Sequence, residues 1–178
     1  MKRFIALILT AVTLLSFAGC GKVNTPAALP VHNVFQQSAS ADEADAITGA
    51  YILATDTAIN IVADKLGSRD KIQYISFDFG TSFALKQTQR DVLVKAFDVY
   101  GIPVDTNGEA GHNELAERNR GFVLQYIVGT QHNKKEYDHT ITVEVLHGNK
   151  GYAYYFDFNI FSGKYVLVNY EEAYEKMR

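Results

Sequence analysis

The chain changes its hydrophobic period at Phe122, and this change constrains the fold more than any other feature. From there to the C-terminus apolar and polar residues alternate, which is typical of β-strands with one buried face. Two of the connections in this half are short turns, so an antiparallel meander of neighbouring strands is predicted. The pattern predicts four strands, Phe122–Val128, Thr140–Leu146, Tyr152–Phe161 and Lys164–Asn169, and a short closing helix at Glu171–Arg178.

The part of the domain that precedes Phe122 is dominated by a helical pattern. From Asp42 to Leu66 apolar residues recur at spacings of three and four, and acidic side chains occupy the first turn, where the helix dipole favours them. Gly67 follows as a residue that commonly ends a helix. The pattern then predicts, in order, a half-buried strand at Lys71–Phe79, a helix at Leu85–Tyr100, a short strand at Ile102–Asp105 and two helical turns at Asn113–Asn119.

Helices that precede a run of strands indicate an α+β fold. We expect the N-terminal helices to pack on one face of an antiparallel sheet that ends in the four-strand meander. This order of elements is similar to that of cystatin-like and NTF2-like domains, a likeness of fold that implies little about function. Residues 42–178 are enough for one domain with a sizeable core.

The first twenty residues have the features of a targeting signal. Met1–Arg3 is a short basic segment, and Phe4–Phe17 is an uncharged, mostly aliphatic run of fourteen residues. A membrane span needs about 20 residues, so this run suits the apolar core of a signal peptide better. We therefore expect residues 1–19 to be a signal peptide that directs the rest of the chain outward.

The small residues Ala18 and Gly19 directly before Cys20 resemble a bacterial lipobox, although Phe17 stands where that motif usually has Leu. The resemblance implies that a diacylglyceryl group is attached to the thiol of Cys20 and that the chain is cut before this residue. Two acyl chains hold a protein stably on a membrane. The alternative is an ordinary signal peptide followed by an incidental cysteine.

Residues 21–41 hold two of the three prolines and have neither helical nor alternating periodicity. Together with Cys20 they are predicted to form a flexible tether between the lipid and the folded domain. The expected plan is a signal peptide at 1–19, the lipidated cysteine and tether at 20–41, and a single α+β domain at 42–178. The expected location is the extracytoplasmic face of the cell membrane, where the lipid on Cys20 is the attachment.

Composition argues against several functional classes. The chain has 17 Lys and Arg against 20 Asp and Glu, a net charge of −3, so no nucleic-acid partner is expected. The single cysteine is the residue expected to carry lipid, which leaves none for a disulfide or a zinc cluster. Gly80-Thr81-Ser82 lacks the second glycine of a nucleophile elbow, because residue 84 is Ala. We expect no enzymatic activity and no cofactor.

The histidines offer one candidate metal site. His132 and His139 bracket a polar stretch that also holds Glu136 and Asp138, and the two rings can face each other across it. A solvated loop is the commoner outcome for such residues, so no metal is expected.

The third strand of the meander supplies the candidate binding residues. The face assigned to the core is strongly aromatic and carries Tyr152, Tyr154, Phe156, Phe158 and Ile160. The other face mixes aromatic and polar groups, Tyr155, Asp157 and Asn159, which suits contact with a sugar or a peptide. Asp78 on the polar face of the first strand is expected to join this surface. An ordinary solvated sheet face is the alternative, and a catalytic pair of Asp78 with Asp157 is less favoured.

Four features together resemble a group of small lipoproteins from Gram-positive, Bacillus-like bacteria. They are the lipobox, the proline-bearing tether, the strand end Phe77-Asp78-Phe79-Gly80 and the helix end Tyr100-Gly101-Ile102-Pro103-Val104. Members of this group are mostly uncharacterised, and some are labelled substrate-binding proteins of peptide ABC transporters. The resemblance implies an envelope lipoprotein, and it brings no catalytic residues.

Two functions are expected from this sequence. The first is a non-enzymatic binding or interaction module of the cell envelope, whose C-terminal sheet face contacts an envelope protein, a peptide or a cell-wall glycan. The second is a small solute- or peptide-binding accessory of a transporter, with a pocket between Leu85–Tyr100 and the sheet. An exposed tyrosine-rich patch would favour the first function, and a pocket with convergent polar groups would favour the second.

We predict that Cys20→Ser abolishes lipidation, cleavage before residue 20 and stable membrane attachment, because the lipid acceptor is lost. Membrane fractionation and mass spectrometry of the intact protein measure these changes. Ser38→Ala in the tether is the control and should leave all three unchanged. A Cys20→Ser protein that is still processed and still membrane-bound would contradict the anchor hypothesis.

Overall fold

The computed structural model of the protein describes residues 45–67, 69–106, 119–129, 132 and 136–178. The predicted signal peptide, the lipidation site Cys20 and the tether lie outside the described residues. The same holds for the predicted helix start at Asp42 and for residues 113–118 of the predicted helical turns.

The described residues form an α+β fold with two α-helices and one mixed sheet of six strands. The helices are α1 at Ala46–Leu66 and α2 at Gln87–Ala96, and short 3₁₀ helices cover Arg69–Lys71 and Phe97–Tyr100. The strands are β1 at Ile75–Asp78, β2 at Val104–Asp105, β3 at Phe122–Tyr126, β4 at His139–His147, β5 at Lys150–Phe161 and β6 at Lys164–Met177. Their order across the sheet is β2-β1-β3-β4-β5-β6.

The predicted four-strand meander is confirmed, since β3, β4, β5 and β6 pair in sequence order and antiparallel. The expectation of a wholly antiparallel sheet is wrong, because β1 runs parallel to both β2 and β3. Parallel neighbours need a crossover connection, and the chain between β1 and β3 supplies one that includes α2. The carboxyl ends of β1 and β3 therefore lie side by side at one edge of the sheet.

The long helix α1 lies at the centre of the hydrophobic core and packs against β4, β5 and β6. Asp45 caps its first turn by accepting a hydrogen bond from the Thr48 amide at 2.9 Å, and Gly67 ends it with a left-handed backbone of φ 59°. The predicted helix end is therefore confirmed. By length and composition α1 is apolar enough to cross a membrane, but 67% of its apolar window is buried inside the domain, as in a core helix.

Alternate residues of the strands point toward α1 and fill the core. In β1 these are Ile75 and Phe77, and the Phe77 ring packs edge-on against Phe97 with centroids 5.4 Å apart. The strand is shorter than predicted and is not half-buried, because Ser76 on its opposite face is also fully buried. The β5 side chains assigned to the core are buried as predicted, namely Tyr152, Tyr154, Phe156 and Phe158, whereas Ile160 is 42% exposed.

The second predicted helix, Leu85–Tyr100, is divided into α2 and the 3₁₀ helix that follows it. Gly101 ends this segment with φ 66°, as the sequence predicts. The Tyr100 hydroxyl donates a hydrogen bond to the buried Asp56 carboxylate of α1, and the Asn60 amide donates to the Tyr100 oxygen at 3.4 Å. Burial first, and then the charge of Asp56, raise the pKa of Tyr100, so this hydroxyl stays protonated and ties the 3₁₀ helix to α1.

The predicted closing helix at Glu171–Arg178 is wrong, because β6 continues to Met177 as the partner of β5. The strand brings Glu175 within 2.8 Å of Lys65 on α1 and within 3.0 Å of Lys150 on β5. Such partly exposed ion pairs add little stability each. The backbone ladder with β5 is the larger reason that this stretch is extended, and the ion pairs favour its register.

The pairing of β6 with β5 is irregular at two places. The register shifts between Ala153 and Tyr154 and again between Asp157 and Phe158. At the second shift the partners on β6 step from Asn169 to Leu167, so Val168 has no residue opposite it on β5. Extra residues of this kind bend a strand and increase its local twist.

Candidate functional site

A cleft of about 630 Å³ opens at the carboxyl ends of β1 and β3. The loop after β1 lines one side, with Thr81 and Ser82 exposed at its tip, and the end of β6 lines the other. Val128, just after β3, borders the cleft with 56% of its surface exposed. In open sheets the carboxyl ends of parallel strands are a common place for ligands, because the loops that follow them diverge.

Aromatic stacking and one arginine hold the loop after β1 in place. The rings of Phe79 and Phe83 stack with centroids 4.9 Å apart, and Phe83 stacks on Tyr126 at 4.6 Å. The Arg90 guanidinium lies 5.3 Å from the Phe83 ring and donates a hydrogen bond to the Phe83 carbonyl at 3.2 Å. The loop therefore rests on a packed aromatic base.

A row of polar side chains crosses the cleft floor on the sheet face opposite α1. Asp78 of β1, Gln125 of β3 and Glu144 of β4 are in register with one another. The Gln125 amide donates a hydrogen bond to Asp78 at 2.7 Å, and the Gly80 amide donates to the other carboxylate oxygen at 3.1 Å. Asp78 thus orders the start of the loop.

Glu144 is the most deeply buried charge in the cleft, with 1% of its side chain exposed. The Arg178 guanidinium donates two hydrogen bonds to it, from Nε to Oε1 at 3.2 Å and from Nη2 to Oε2. Nζ of Lys176 adds a second positive charge 3.7 Å from Oε1. A buried carboxylate requires such partners, since leaving its charge uncompensated is strongly destabilising.

Small residues on β5 allow the β6 cations to reach Glu144 on β4. Gly151 and Ala153 lie on the strand between them and share the sheet face of Glu144. A Cβ at Gly151 would lie 2.3 Å from Oε1 of Glu144 and 3.2 Å from Cδ2 of Leu146. A side chain at this position would therefore have to displace the Glu144 carboxylate, which Arg178 holds in place.

A second cluster surrounds His132, farther along the same face. Nδ1 of His132 lies 3.0 Å from Oδ2 of Asp157, Nε2 lies 2.7 Å from Oε1 of Glu171, and the Tyr155 ring stacks on the imidazole at 4.7 Å. The hydrogen bond to Asp157 is the main reason that the pKa of His132 is raised, and the charges of Asp157, Glu171 and Glu136 add to it. Both ring nitrogens face carboxylates, so the arrangement favours the imidazolium.

The buried Asp157 carboxylate is satisfied by neighbours on both sides. It accepts hydrogen bonds from Oγ1 of Thr140 at 2.7 Å and from Nδ2 of Asn169 at 3.2 Å, in addition to its contact with His132. The cluster therefore binds His132 to three strands of the sheet. Its carboxylates, one buried and one half exposed, are hydrogen-bond acceptors in a structural network.

The predicted binding residues are divided between these two places. Asp78 lies in the cleft, whereas Tyr155 and Asp157 belong to the His132 cluster. Asn159 is nearby on β5, where its side-chain oxygen accepts a weak hydrogen bond from the Asp138 amide at 3.4 Å. The strand register places Asp78 and Asp157 three strands and four residues apart, roughly 20 Å, so they form no catalytic pair.

The two histidines of the candidate metal site contact different groups. His132 faces Asp157 and Glu171, and His139 lies in β4 with its ring against Tyr165 at 5.5 Å. Among the described residues, no group of three or more His, Cys, Asp and Glu side chains is arranged to hold a metal ion.

Sequence reasoning missed Glu144, Gln125, Lys176 and Arg178 as members of one site. A signal exists for Glu144, which is an acid flanked by Val143 and Val145 in a strand pattern. Its cationic partners have no comparable signal, because residues 171–178 read as a helix that would have placed them elsewhere.

Comparison of the chain with protein-family models, curated protein sequences and solved structures finds no match.

We predict that Gly151→Ala destabilises the domain by about 1–3 kcal/mol, because the new Cβ overpacks against Glu144. Denaturant unfolding measures the change in free energy. In a Glu144→Ala background the same substitution should cost less, since the obstructing carboxylate is gone. Equal costs in the two backgrounds would contradict the contact.

We predict that His132→Gln lowers stability more at pH 5 than at pH 8. The pKa of His132 is raised above the usual 6.5, so its contribution is fully present below that pH and is lost as the pH rises through the folded-state pKa. His139→Gln is the control with the opposite sign, because burial lowers the pKa of His139 and its contribution is lost as the pH falls. Unfolding free energies across this pH range test both, and a His132→Gln effect that grows with pH would contradict the first.

Proposed function

We propose that this protein is a lipid-anchored, non-enzymatic binding module on the extracytoplasmic face of the bacterial cell membrane. The lipobox-like segment at Cys20 and the apolar run before it support the anchor, and residues 20–41 serve as the tether. The resemblance to small lipoproteins of Gram-positive bacteria agrees with this location. We also propose that the order of helices and strands is similar to that of cystatin-like and NTF2-like domains, which is a statement about the fold alone.

The observation that carries the binding function is the cleft at the carboxyl ends of β1 and β3. Its volume of about 630 Å³ is in the range of sites that hold small ligands or short segments of chain. Polar groups converge on its floor, while Phe79 and Val128 supply apolar surface. The acidic groups Asp78 and Glu144 already have hydrogen-bond donors, which supports binding over acid–base chemistry.

The full or partial burial of most of the C-terminal tyrosines argues against a broad aromatic patch as the contact surface and favours the cleft. Tyr152 and Tyr154 are in the core, and Tyr155 is covered on one side by His132. Tyr170 is the exposed member, at 53%. A pocket with convergent polar groups favours the alternative function, a small solute- or peptide-binding accessory of a transporter, over contact through a tyrosine-rich sheet face, although the cleft is lined by residues 78–83 instead of the predicted Leu85–Tyr100.

The proposed partners are an envelope protein, a peptide or a cell-wall glycan, with the membrane contacted through the lipid on Cys20. A cleft that binds a small or extended ligand favours the peptide and glycan classes. A folded protein partner would instead use a broader surface, of the order of 800 Å² on each side.

We predict that a panel of peptides and glycans includes a ligand that raises the melting temperature of the purified full chain. At 100 times its dissociation constant a ligand adds roughly 2.7 kcal/mol of stability. Val128→Glu should abolish this shift, because it places a charge on the apolar border of the cleft. Val168→Glu is the matched control, since Val168 is 45% exposed on β6 and does not line the cleft.

A shift that Val128→Glu leaves intact would place binding outside the cleft. If no member of the panel changes the melting temperature, the small-ligand and peptide functions are contradicted. Crosslinking in the membrane would then test the sheet face as the contact surface for a protein partner.

A further inference from the structure

We infer that the cleft selects a monocarboxylate that carries an apolar group, with the carboxylate bound by Arg178 and Lys176 and the apolar group lying on Phe79, Ile127 and Val128. This inference rests on the proposed binding function and adds the chemical class of the ligand. The inference follows from the hydrogen-bond donors of Lys176 and Arg178 that remain available in the cleft and from the negative charge of Glu144 beneath them.

The available donors are the two cations at the end of β6. Arg178 uses Nε and Nη2 on Glu144, which leaves Nη1 for a ligand, and 36% of its side chain is exposed. Lys176 is 46% exposed and donates one hydrogen bond, to the Tyr174 hydroxyl at 3.1 Å. An ammonium has three donors, so Lys176 retains the capacity to bind an oxyanion.

Charge balance favours a single negative charge on the ligand. The charged side chains that line the cleft are Asp78, Glu144, Lys176 and Arg178, two of each sign. Glu144 lies directly under the cations and offsets part of their field, so a dianion would face stronger repulsion than a monoanion. The two oxygens of a carboxylate can accept charge-assisted hydrogen bonds from Nη1 of Arg178 and from Nζ of Lys176.

The apolar part of the ligand has a defined place. Ile127 and Val128 follow β3 at one border of the cleft, and the partly buried Phe79 lies on the other side of the opening. Thr81 and Ser82 add exposed hydroxyls beside Phe79, which can accept or donate to an amide group of the ligand. Burial of Val128 under an apolar group would remove one of the larger exposed apolar surfaces of the described residues.

Two kinds of ligand carry a single carboxylate next to an apolar group. One is the free C-terminal end of a peptide whose last residue is apolar, and the other is a free aliphatic acid. Isothermal titration calorimetry of the purified full chain in detergent separates them with four probes. They are the dipeptide Ala-Leu, its C-terminal amide, hexanoate and hexanamide. We expect the acids to bind at least about tenfold more tightly than their amides, since hydrogen bonds to charged groups contribute about 1.5–3 kcal/mol.

Matched variants locate the carboxylate. Lys176→Gln should weaken binding of the acids about five- to tenfold and leave the amides unchanged, as expected for one charge-assisted hydrogen bond. Lys150→Gln is the control, because Lys150 is equally exposed at 45% on the neighbouring strand and does not line the cleft. Arg178 is left intact, since its loss would leave Glu144 buried without its main partner.

The outcomes separate this inference from the proposed function. Acids and amides that bind equally, both weakened by Val128→Glu, would overturn the carboxylate selectivity and leave the cleft as a binding site. Acid binding that Lys150→Gln weakens as much as Lys176→Gln would also overturn the inference. So would the absence of binding for every probe at about 10 mM, which is about ten times the dissociation constant of a weak, millimolar ligand. Tighter binding of Ala-Leu than of hexanoate would identify the peptide end as the source.

Discussion

A carboxylate buried in the middle of a sheet needs a cation within reach, and this requirement links the C-terminal half of the protein. Glu144 lies on β4, and its partners are Lys176 on β6, two strands away, and Arg178 directly after β6. The contact exists because β5 carries Gly151 and Ala153 between them. Three strands therefore depend on one charge: β4 supplies it, β5 makes room for it and β6 neutralises it.

The same contact explains the shape of the cleft. An extended β6 places Lys176 and Arg178 beside Glu144 on the sheet face that forms the cleft floor, so both cations line the cleft together with the loop that follows β1. If residues 171–178 formed a helix, the strand that brings these side chains to Glu144 would be absent. The cationic side of the cleft is thus a by-product of satisfying a buried charge, and its polarity follows from that origin.

Hydrophobic period alone predicted the elements whose partners are close in sequence. The helix ending at Leu66 follows from apolar spacings of three and four, and the meander from Phe122 onward follows from alternation together with two short turns. The parallel pairing of β1 is a long-range choice that local pattern does not encode. The tail was misread because Glu171, Glu172, Glu175 and Lys176 have good helix propensity, and tertiary pairing with β5 overrides such a preference.

The site was harder to predict than the fold for a related reason. Alternation predicts that Tyr155, Asp157, Asn159 and Asp78 share a sheet face, and the strand register places them on one face. Alternation gives no distance across strands, so it did not separate Asp78 from Asp157. Nor did it reveal that His132, from a polar loop, would occupy the space beside Asp157.

If the proposed lipid anchor holds the protein on a membrane, the irregular ladder between β5 and β6 has a consequence. Molecules tethered to one membrane are concentrated in two dimensions, where a long, straight edge strand would invite pairing with the same strand of a neighbour. The unmatched residue Val168 and the charged stretch at the end of β6 interrupt that edge. Under the proposed anchor, crowding on the membrane would therefore bring molecules together without joining their sheets into a fibre.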